Sequence, residues 1–426
     1  MDISVSALKN GLKGEITIPA DKSISHRAVM FASISGGDSV VRNFLNAADC
    51  CSTVNVFKGL GVDIDFIDKT TLKIHSIGSF NPPSNILDCG NSGTTMRLVS
   101  GILAGQNFNS TLSGDESLSK RPMKRIITPL EMMGAKIDSN QGKAPLKITG
   151  SNLHSITYNS PIASAQVKSS ILLAGLNAEG VTTVIEPYKS RNHTEIMLKY
   201  MGADIEVSDN TVRIKKSKLQ PKDLFIPGDI SSAAFFIVAA LIVSNSDIII
   251  KNVGLNETRT GIIDVVERMN GDIEILDKRI VSGEVIGDIR VKYSSLKACE
   301  IKGGDIPRLI DELPVIALLA TQAEGETRIT DAGDLRNKEA DRISAVVTEF
   351  RKLGIDIDEL TDGFVISGKQ KIKGGCAVEV YHDHRLAMTL YIAGLIAEND
   401  ILVKEFQWVN ISLPEFTTLI DSLNSL

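Results

Sequence analysis

The chain has 426 residues, of which 43% are hydrophobic and 23% charged, and its net charge is −6. This length suits two or three domains, and the net charge excludes attraction of the whole protein to nucleic acid or to an anionic membrane. The odd number of cysteines and their lack of metal-binding spacing favour reduced thiols over a disulfide framework. We expect no signal peptide, no membrane-spanning segment and a cytoplasmic location, because the first residues lack a basic and an apolar region and the most apolar run, 233–243, is short.

Six polar phrases recur along the chain, each followed by an apolar run with helical spacing. The predicted helix starts lie at residues 21–25, 90–94, 164–168, 228–232, 311–314 and 382–385. Each of the first five units continues with a turn, a β-branched strand, a second amphipathic helix and a glycine-containing phrase such as Gly61–Ile64. The period of about seventy residues predicts a βαβαββ module, because solenoid and propeller repeats are shorter.

The two ends of the chain complement each other in this pattern. The sixth unit lacks its closing pair of strands, whereas the first nineteen residues contain two strand-like segments and no helix. We therefore predict an α/β protein of two similar domains with three repeats each, residues 20–226 and residues 1–19 plus 227–426. Helix N-termini carry unpaired N–H groups and partial positive charge, so the six helix starts predict an anion site in the cleft between the domains.

The densest polar motif is Asp21-Lys22-Ser23-Ile24-Ser25-His26-Arg27. Asp21 or Ser23 is the expected N-cap, and Ser23 and Arg27 lie on one helical face with Lys22 at the helix start. Cations and hydroxyls beside a helix N-terminus suit a phosphate or a carboxylate. A capped surface helix with solvated charges explains this motif alone equally well.

Two further motifs of the first half suit an anionic ligand. Gly93 stands inside a predicted first helical turn after Asn91, where glycine costs about 0.5–1 kcal/mol relative to alanine and therefore indicates close approach of a ligand to the backbone. Simple turn geometry is the alternative. Lys120 and Arg121 form a basic turn in a polar loop, for which solvated charges are the simpler explanation when the loop is taken alone.

The second half adds carboxylates to the cations. Glu339 and Arg342 are predicted one turn apart on a helical face, as an intrahelical ion pair would also require. Asp311 and Glu312 open a predicted helix, where acidic residues favour the dipole in any case. Together the motifs predict a site for a multiply anionic ligand with a carboxylate pair for proton transfer, formed by Lys22, Arg27, Arg121, Arg342 and Arg385 with Asp311 and Glu339.

His382 and His384 stand two residues apart, a spacing that suits a strand or a turn. Because no second group of cysteine, histidine or carboxylate residues has ligand spacing, we predict no metal site.

Five phrases resemble the 5-enolpyruvylshikimate-3-phosphate synthase family in their order and spacing: residues 21–27, 90–94, 120–123, 338–342 and 383–385. The resemblance implies addition–elimination that transfers the enolpyruvyl group of phosphoenolpyruvate to the 5-hydroxyl of shikimate 3-phosphate and releases phosphate, a step of chorismate and aromatic amino acid biosynthesis. It implies a two-domain inverse α/β barrel of six βαβαββ units that closes over its small-molecule substrates. It also implies a monomer without metal or cofactor, and inhibition by glyphosate.

The resemblance further implies residue roles. Shikimate 3-phosphate would be bound by Lys22, Ser23, Arg27, Ser164, Gln166, Ser190, Asp311 and Lys338. Phosphoenolpyruvate would be bound by Lys22, Asn91, Gly93, Arg121, Gln166, Arg342 and Arg385. Asp311 would take the proton of the 5-hydroxyl, Glu339 would protonate the methylene carbon, and Lys22, between the two substrates, would be the third catalytic residue.

Three positions depart from the family pattern. Ala20 replaces a frequent glycine, Ala165 replaces a serine that would supply a further hydroxyl to the phosphate, and Ile411 replaces a lysine that contacts phosphoenolpyruvate. The last change leaves one contact to that substrate in question.

Two other functions stay open. The sister transferase that acts on UDP-N-acetylglucosamine carries Lys-Asn where this chain has Lys22-Ser23, and it usually has a reactive cysteine in the loop that corresponds to residues 115–120, which contain none. A non-catalytic anion-binding scaffold would gain nothing from Asp311 and Glu339 beside its cations.

Overall fold

The computed structural model describes residues 1–424, so the last two residues of the predicted C-terminal domain, 425–426, lie outside the described part. Its α-helices are α1 (Lys22–Ser35), α2 (Ala48–Gly59), α3 (Gly93–Ala104), α4 (Glu116–Lys120), α5 (Lys124–Met132), α6 (Ala165–Gly175), α7 (His193–Tyr200), α8 (Ile230–Ile242), α9 (Gly261–Arg268), α10 (Ile306–Leu309), α11 (Leu313–Ala320), α12 (Arg342–Lys352), α13 (His384–Gly394) and α14 (Phe416–Asn424). Short 3₁₀ turns occupy Gly303–Asp305, Gly333–Asn337 and Phe406–Ile411. None of the helices within residues 1–424 is long and apolar enough to span a membrane.

The strands are short. They are β1 (Ile3–Val5), β2 (Lys13–Thr17), β3 (Gly37–Arg42), β4 (Asp63–Phe66), β5 (Leu72–Ser76), β6 (Leu87–Asp88), β7 (Asn109–Ser113), β8 (Lys136–Asn140), β9 (Lys143–Thr149), β10 (Thr157–Asn159), β11 (Val181–Ile185), β12 (Ile205–Ser208), β13 (Thr211–Lys215), β14 (Leu224–Phe225), β15 (Asp247–Gly254), β16 (Asp272–Val281), β17 (Glu284–Lys292), β18 (Glu300–Ile301), β19 (Gly325–Ile329), β20 (Ile357–Leu360), β21 (Gly363–Gly368), β22 (Ala377–Val378) and β23 (Ile401–Val403).

The chain forms two compact units. The N-terminal unit consists of Ala20–Pro227 and Ile280–Glu284. The C-terminal unit consists of Met1–Pro19, Gly228–Arg279 and the chain from Val285 onward. The sequence prediction places Ile280–Glu284, the turn between β16 and β17, in the C-terminal domain instead. Two bonds hold this turn in the N-terminal unit: the Phe225 amide donates to Ser282 Oγ at 2.9 Å, and His193 Nδ1 lies 2.7 Å from Glu284 Oε1.

The N-terminal unit repeats one sheet topology three times. Its four-stranded sheets have the orders β14-β3-β5-β4, β6-β7-β9-β8 and β10-β11-β13-β12. In each sheet the first two strands are parallel and the other neighbours antiparallel, as in the parallel pairing of Thr157 with Thr183. Parallel neighbours need a crossover, which α3 supplies between β6 and β7 and α6 between β10 and β11. In the first sheet the parallel partner of β3 is β14, which comes from the end of the unit.

The C-terminal unit contains two four-stranded sheets, β16-β17-β15-β2 and β18-β19-β21-β20, and the three-stranded sheet β1-β23-β22. The first residues of the chain add one edge strand to each of two sheets. β2 runs parallel to β15, with Ile16 opposite Ile250, and β1 runs antiparallel to β23, with Ile3 opposite Val403.

Each unit has its own hydrophobic core. The first helices of the repeats form its centre: every side chain of α8 is buried, as expected of a helix that is apolar all round. In the N-terminal unit α3 packs directly on α6. A Cβ atom on Gly101 would lie 2.1 Å from the carbonyl oxygen of Ser170, so only glycine permits this close approach.

The first helix of most repeats begins with the same kind of side-chain N-cap. In five of the six first helices a side chain accepts a bond from a backbone N–H of the first turn, and the capping residues are Asp21, Ser92, Ser164, Asp229 and Asp383. Helix α11 differs, since Glu312 makes no capping bond there. The first turns of these helices carry five of the residues that the sequence singled out, namely Lys22, Ser23, Gly93, Gln166 and Arg385.

Candidate active site

The predicted site residues fall into two groups, one in each unit. In the N-terminal unit the first helical turn of α1 begins after Asp21, which caps it by accepting from the Ile24 amide at 2.8 Å. Of the two predicted caps, Asp21 is therefore the one used. Lys22 Nζ lies 3.2 Å from Asp49 Oδ2. Burial acts to raise the pKa of Asp49, but the charge of Lys22, its hydrogen bond and the other neighbouring cations together outweigh burial, and the pKa lies below its usual value.

Arg27 is buried and donates in three directions. Its Nε donates to Thr194 Oγ1 at 2.7 Å, one terminal nitrogen to Ser169 Oγ at 3.0 Å, and the other to the Ser23 carbonyl at 2.8 Å. Burial lowers the pKa of Arg27 to about 10, an effect that the charge of Glu195 opposes. The guanidinium therefore stays positive at neutral pH and has a fixed orientation.

His26 belongs to the same motif but is excluded as an acid or base near neutral pH. Its ring is buried, and Nδ1 lies 2.7 Å from Thr53 Oγ1. Burial, aided by the charge of Lys22 and opposed by that of Asp49, lowers the pKa of His26 to about 3. The imidazole is neutral and its role is structural.

The structure brings Asn91, Gly93 and Arg121 together at the start of α3. Arg121 donates to Asn91 Oδ1 at 2.7 Å, and the side-chain Nδ2 of Asn91 donates to Asp115 Oδ2 at 2.8 Å. A Cβ atom on Gly93 would lie 2.9 Å from a terminal nitrogen of Arg97 and 3.7 Å from one of Arg121. The missing side chain thus leaves room between two guanidinium groups.

Gln166, on the first turn of α6, is held from both ends of its amide. Arg97 donates to its Oε1 at 2.6 Å, and its Nε2 donates to Thr94 Oγ1 at 3.0 Å. Sequence reasoning missed Arg97 and Thr94 as partners of this glutamine. The available signal was an arginine four residues after Gly93 in a predicted helix that is mainly apolar.

Ser164 and Ser190 are tied to one carboxylate. The Ser164 amide donates to Glu186 Oε1 at 3.1 Å and the Ser190 amide lies 3.4 Å from Glu186 Oε2. The Ser164 hydroxyl caps α6 through the Val167 amide. Ser190 is only 5% exposed, and within residues 1–424 its Oγ has no hydrogen-bond partner. A buried hydroxyl of this kind is costly unless a ligand satisfies it.

In the C-terminal unit Arg342 is fully buried among three carboxylates. Its Nε donates to Asp383 Oδ2 at 2.7 Å, and its terminal nitrogens lie 2.7 Å from Glu339 Oε2 and 3.4 Å from Asp311 Oδ1. Burial acts to lower the pKa of Arg342, but the three carboxylates outweigh burial and the pKa lies above its usual value. This cation is therefore permanent.

The predicted placement of Glu339 on a helix with Arg342 is wrong. Helix α12 begins at Arg342, and Asp341 caps it by accepting from the Ser344 amide at 3.1 Å. Glu339 therefore lies in the bend before the helix, because Asp341 is a strong N-cap and stops the helix from extending backwards. An ion pair between Glu339 and Arg342, which was the alternative explanation of this motif, is present, although Glu339 lies outside the helix.

Asp311 lies just before α11 with a second cation at its carboxylate. Lys338 Nζ is 3.3 Å from Asp311 Oδ1 and 3.7 Å from Asp334 Oδ2. Asp311, Lys338, Glu339 and Arg342 thus form one cluster of alternating charge. A carboxylate can accept a proton and a carboxyl group can donate one, so Asp311 and Glu339 provide groups for both roles.

Arg385 lies on the first turn of α13, with a terminal nitrogen 3.9 Å from Glu312 Oε1. Glu312 is buried and accepts from the Ser231 hydroxyl, so it is an anchor beside this arginine that the sequence motifs did not identify. Elsewhere, the exposed ring of His382 packs on Trp408, with a centroid distance of 4.7 Å. No cluster of three or more potential metal ligands occurs among residues 1–424.

The structure locates the three residues that depart from the family pattern, Ala20, Ala165 and Ile411. Ala165 is the first residue of α6, and Ile411 ends the 3₁₀ turn Phe406–Ile411. Ala20 is buried at the start of the N-terminal unit.

Within residues 1–424 the two units contain six small sheets, five of four strands and one of three, each associated with helices. This architecture, with arginines and carboxylates at or near helix starts, defines an enolpyruvyl transferase-type fold. The enolpyruvyl transferase NikO from Streptomyces tendae has this fold, with a TM-score of 0.81 at 17% identity over 99% of this chain and 97% of that one. The EPSP synthase from Acinetobacter baumannii is more similar, with a TM-score of 0.91 at 41% identity over 99% of this chain and 98% of that one.

The sequence comparisons narrow the class to one family. The sequence profile of EPSP synthase (3-phosphoshikimate 1-carboxyvinyltransferase) matches residues 7–420. A 3-phosphoshikimate 1-carboxyvinyltransferase of Petrotoga mobilis is 51% identical over the whole of both chains, and one of Bacillus subtilis is 51% identical over 97% of each. The chain belongs to the EPSP synthase family. The predictions of the family, of the fold class and of a transferase are confirmed.

Proposed function

We propose that this chain transfers the enolpyruvyl group of phosphoenolpyruvate to the 5-hydroxyl of shikimate 3-phosphate and releases phosphate. The family supports the reaction, and one observation in the structure carries it: Asp311 and Glu339, the two carboxylates with predicted proton-transfer roles, both contact the buried guanidinium of Arg342. An anion-binding scaffold would gain affinity by omitting these carboxylates, so their presence favours catalysis.

In this proposal shikimate 3-phosphate is held mainly by the N-terminal unit. Arg27 supplies a fixed positive charge, and the Ser190 Oγ, which has no hydrogen-bond partner within residues 1–424, supplies a hydroxyl to the phosphate. The full set of proposed contacts is Lys22, Ser23, Arg27, Ser164, Gln166, Ser190, Asp311 and Lys338. Ala165 leaves the phosphate with one hydroxyl fewer than a serine there would give.

Phosphoenolpyruvate carries a carboxylate and a phosphate, which suit planar guanidinium groups. Arg121, Arg342 and Arg385 are the proposed arginines, and the space beside Gly93 accommodates the ligand. Lys22, Asn91 and Gln166 complete the set. Gln166 is well placed for this role because Arg97 and Thr94 fix both ends of its amide.

The proposed chemistry proceeds in two steps. Asp311 takes the proton of the 5-hydroxyl as the oxygen attacks the second carbon of phosphoenolpyruvate, and Glu339 protonates the methylene carbon, which becomes a methyl group. The tetrahedral intermediate then loses phosphate, which takes up the proton held by Asp311. The methyl group returns its extra proton to Glu339, so the enol ether forms and both carboxyl groups regain their initial protonation states. Lys22 is the third catalytic residue, a cation for the charge that moves between the substrates.

The remaining expectations are also proposals: action as a monomer in the cytoplasm, on small molecules alone, without nucleic acid or membrane partners. The reaction as written uses side chains only and needs neither a metal ion nor a redox cofactor.

A phosphate-release assay tests the proposed function. With both proposed substrates the protein should release phosphate continuously, and replacement of shikimate 3-phosphate by UDP-N-acetylglucosamine should abolish the release. The Asp311→Asn variant is the control for contaminating phosphatases. Release with the nucleotide sugar, or equal release by wild type and Asp311→Asn, would overturn the proposal.

A further inference from the structure

Lys168 is a lysine buried in the N-terminal unit, on α6, with 2% of its side chain exposed. Its Nζ lies 2.7 Å from Glu186 Oε2 and 2.7 Å from Glu195 Oε1, and both carboxylates are similarly buried. We call these three residues the buried triad. None of the proposed substrate contacts includes any of them.

One arm of the buried triad leads to two serines. Glu186 accepts from the backbone amides of Ser164 and Ser190, one at each oxygen, and Lys168 Nζ also lies 3.4 Å from the Ser190 carbonyl. A single carboxylate thus sets the spacing of two segments whose hydroxyls are proposed to contact the same phosphate. Lys168 keeps that carboxylate in place.

The other arm leads to Arg27. The charge of Glu195 acts on this guanidinium and opposes the effect of burial on its pKa. Arg27 donates to Thr194 and Ser169, and the hydroxyls of those two residues lie 2.6 Å apart. Thr194 is the immediate neighbour of Glu195 on α7, so the position of this turn orients the guanidinium.

The two negative charges of the buried triad are balanced by two nearby positive charges. Glu186 and Glu195 alone would place two negative charges behind a site for an anion, whereas Lys168 and Arg27 neutralise them. Buried ion pairs contribute little net stability compared with apolar residues of similar volume, so stability alone is a weak reason for this arrangement. Positioning of polar groups is the use that the contacts support.

We propose that the buried triad of Lys168, Glu186 and Glu195 positions Ser164 and Ser190 to recognise the phosphate of shikimate 3-phosphate and holds Arg27 in place as a cation for the same ligand. These three residues are positioning residues and do not touch the substrate. The inference rests on the proposed function and adds to it the origin of the preference for a phosphorylated substrate over the same molecule without phosphate.

The test is the ratio of two affinities, measured by titration calorimetry with shikimate 3-phosphate and with shikimate. In Glu186→Gln the amide keeps the shape of the side chain but presents an NH₂ group toward the Ser190 amide or toward that of Ser164. We expect the affinity for shikimate 3-phosphate to fall about tenfold or more and that for shikimate to change less than about twofold. The KM for shikimate 3-phosphate should rise in proportion, with a much smaller change in kcat.

Glu349→Gln is the matched control. Glu349 is a buried carboxylate of the C-terminal unit that also accepts from a backbone amide, that of Glu379, and from a lysine, Lys352. Its loss should leave the ratio of the two affinities unchanged. The double variant Lys168→Met/Glu195→Gln removes one charge of each sign and should lower the same ratio, so it decides the question if Glu186→Gln does not fold.

Equal losses of affinity for shikimate 3-phosphate and shikimate would overturn the inference, since general loosening of the unit weakens both. Unchanged affinities in a folded variant would overturn it as well. The wild type separates this result from failure of the proposed function: phosphate release with both substrates tests the function, whereas the affinity ratio needs no turnover.

Discussion

Arg342 and Asp383 form a buried ion pair, with Arg342 Nε 2.7 Å from Asp383 Oδ2 and neither side chain more than 1% exposed. Asp383 is at the same time the N-cap of α13, since its Oδ1 accepts from the Arg385 amide at 2.8 Å. One carboxylate therefore fixes the direction of Arg342 and the start of the helix that carries Arg385. Two of the three arginines proposed for phosphoenolpyruvate depend on it.

These two roles of Asp383 can be separated. Asparagine is as good an N-cap as aspartate but lacks the charge, so Asp383→Asn should keep α13 and weaken phosphoenolpyruvate binding through Arg342. Asp383→Ala removes the cap too and should cost a further 0.5–2 kcal/mol or so of unfolding free energy. Urea unfolding and the KM for phosphoenolpyruvate measure the two effects. Equal unfolding free energies for the two variants would contradict the capping role.

Asp311→Asn tests the proposed general base. Loss of the base should lower turnover roughly 10²-fold or more, while binding of shikimate 3-phosphate stays largely intact because the asparagine side chain fills the same space as the aspartate. Steady-state kinetics and calorimetry on one preparation give both quantities. Turnover near that of the wild type would rule out this role for Asp311.

Glu339→Gln tests the proposed acid. Its turnover should fall to a similar extent, and solvent deuterium should enter the methylene group of phosphoenolpyruvate more slowly, because the amide cannot deliver a proton to carbon. Mass spectrometry of phosphoenolpyruvate recovered from D₂O follows the exchange. Exchange at the wild-type rate would show that another group protonates the carbon.

Gly93→Ala tests the space between Arg97 and Arg121. The new methyl group would stand 2.9 Å from the Arg97 guanidinium, and overpacking of this kind costs about 1–3 kcal/mol. Glyphosate is slightly longer than phosphoenolpyruvate, so we expect its inhibition constant to rise by a larger factor than the KM for phosphoenolpyruvate. Gly304→Ala is the control, since a Cβ there would meet no atom of the described residues 1–424 within 4 Å. Equal inhibition of Gly93→Ala and wild type would mean that Gly93 does not line the pocket.

The lowered pKa of the buried His26 ring leads us to expect that the protein loses stability in acid. Its pKa is about 3 in the folded protein against 6.5 unperturbed, so between these values the unfolded chain binds a proton that the folded protein does not. Stability should therefore fall as the pH falls from about 6.5 towards 3, by at most about 1.4 kcal/mol per pH unit from this group. Urea unfolding across this range should show a smaller slope for His26→Gln. An unchanged slope would contradict the burial of a neutral ring.

Local signals made much of the fold predictable from sequence. The N-caps Asp21, Ser92, Ser164, Asp229 and Asp383 stand directly before apolar helical runs, so five helix starts could be located from a few residues each. The family resemblance rested on the same phrases. Capping bonds of this kind join residues two or three positions apart, so a short stretch of sequence is enough to predict them.

Contacts between distant segments were not predictable in the same way. Arg97 meets Gln166 across 69 positions, and Lys168 meets Glu186 across 18, through packing that no local pattern encodes. The error at Glu339 has a local cause instead. The predicted helix includes residues before Asp341, whereas the bond from the Ser344 amide to Asp341 makes Asp341 the N-cap, so the helix begins only at Arg342. A charged residue inside an apolar helical run, as at Arg97 and Lys168, is the one signal that could have indicated these contacts.

The central claim is transfer of the enolpyruvyl group to one hydroxyl, and ¹³C NMR of the reaction tests it most directly. Phosphoenolpyruvate labelled at its second carbon is incubated with shikimate 3-phosphate and the protein. We predict a new enol ether resonance coupled to the 5-position of the shikimate ring, together with stoichiometric free phosphate. Phosphoenolpyruvate that stays unchanged with active-site residues intact, or an ether formed at another hydroxyl or on UDP-N-acetylglucosamine, would contradict the claim.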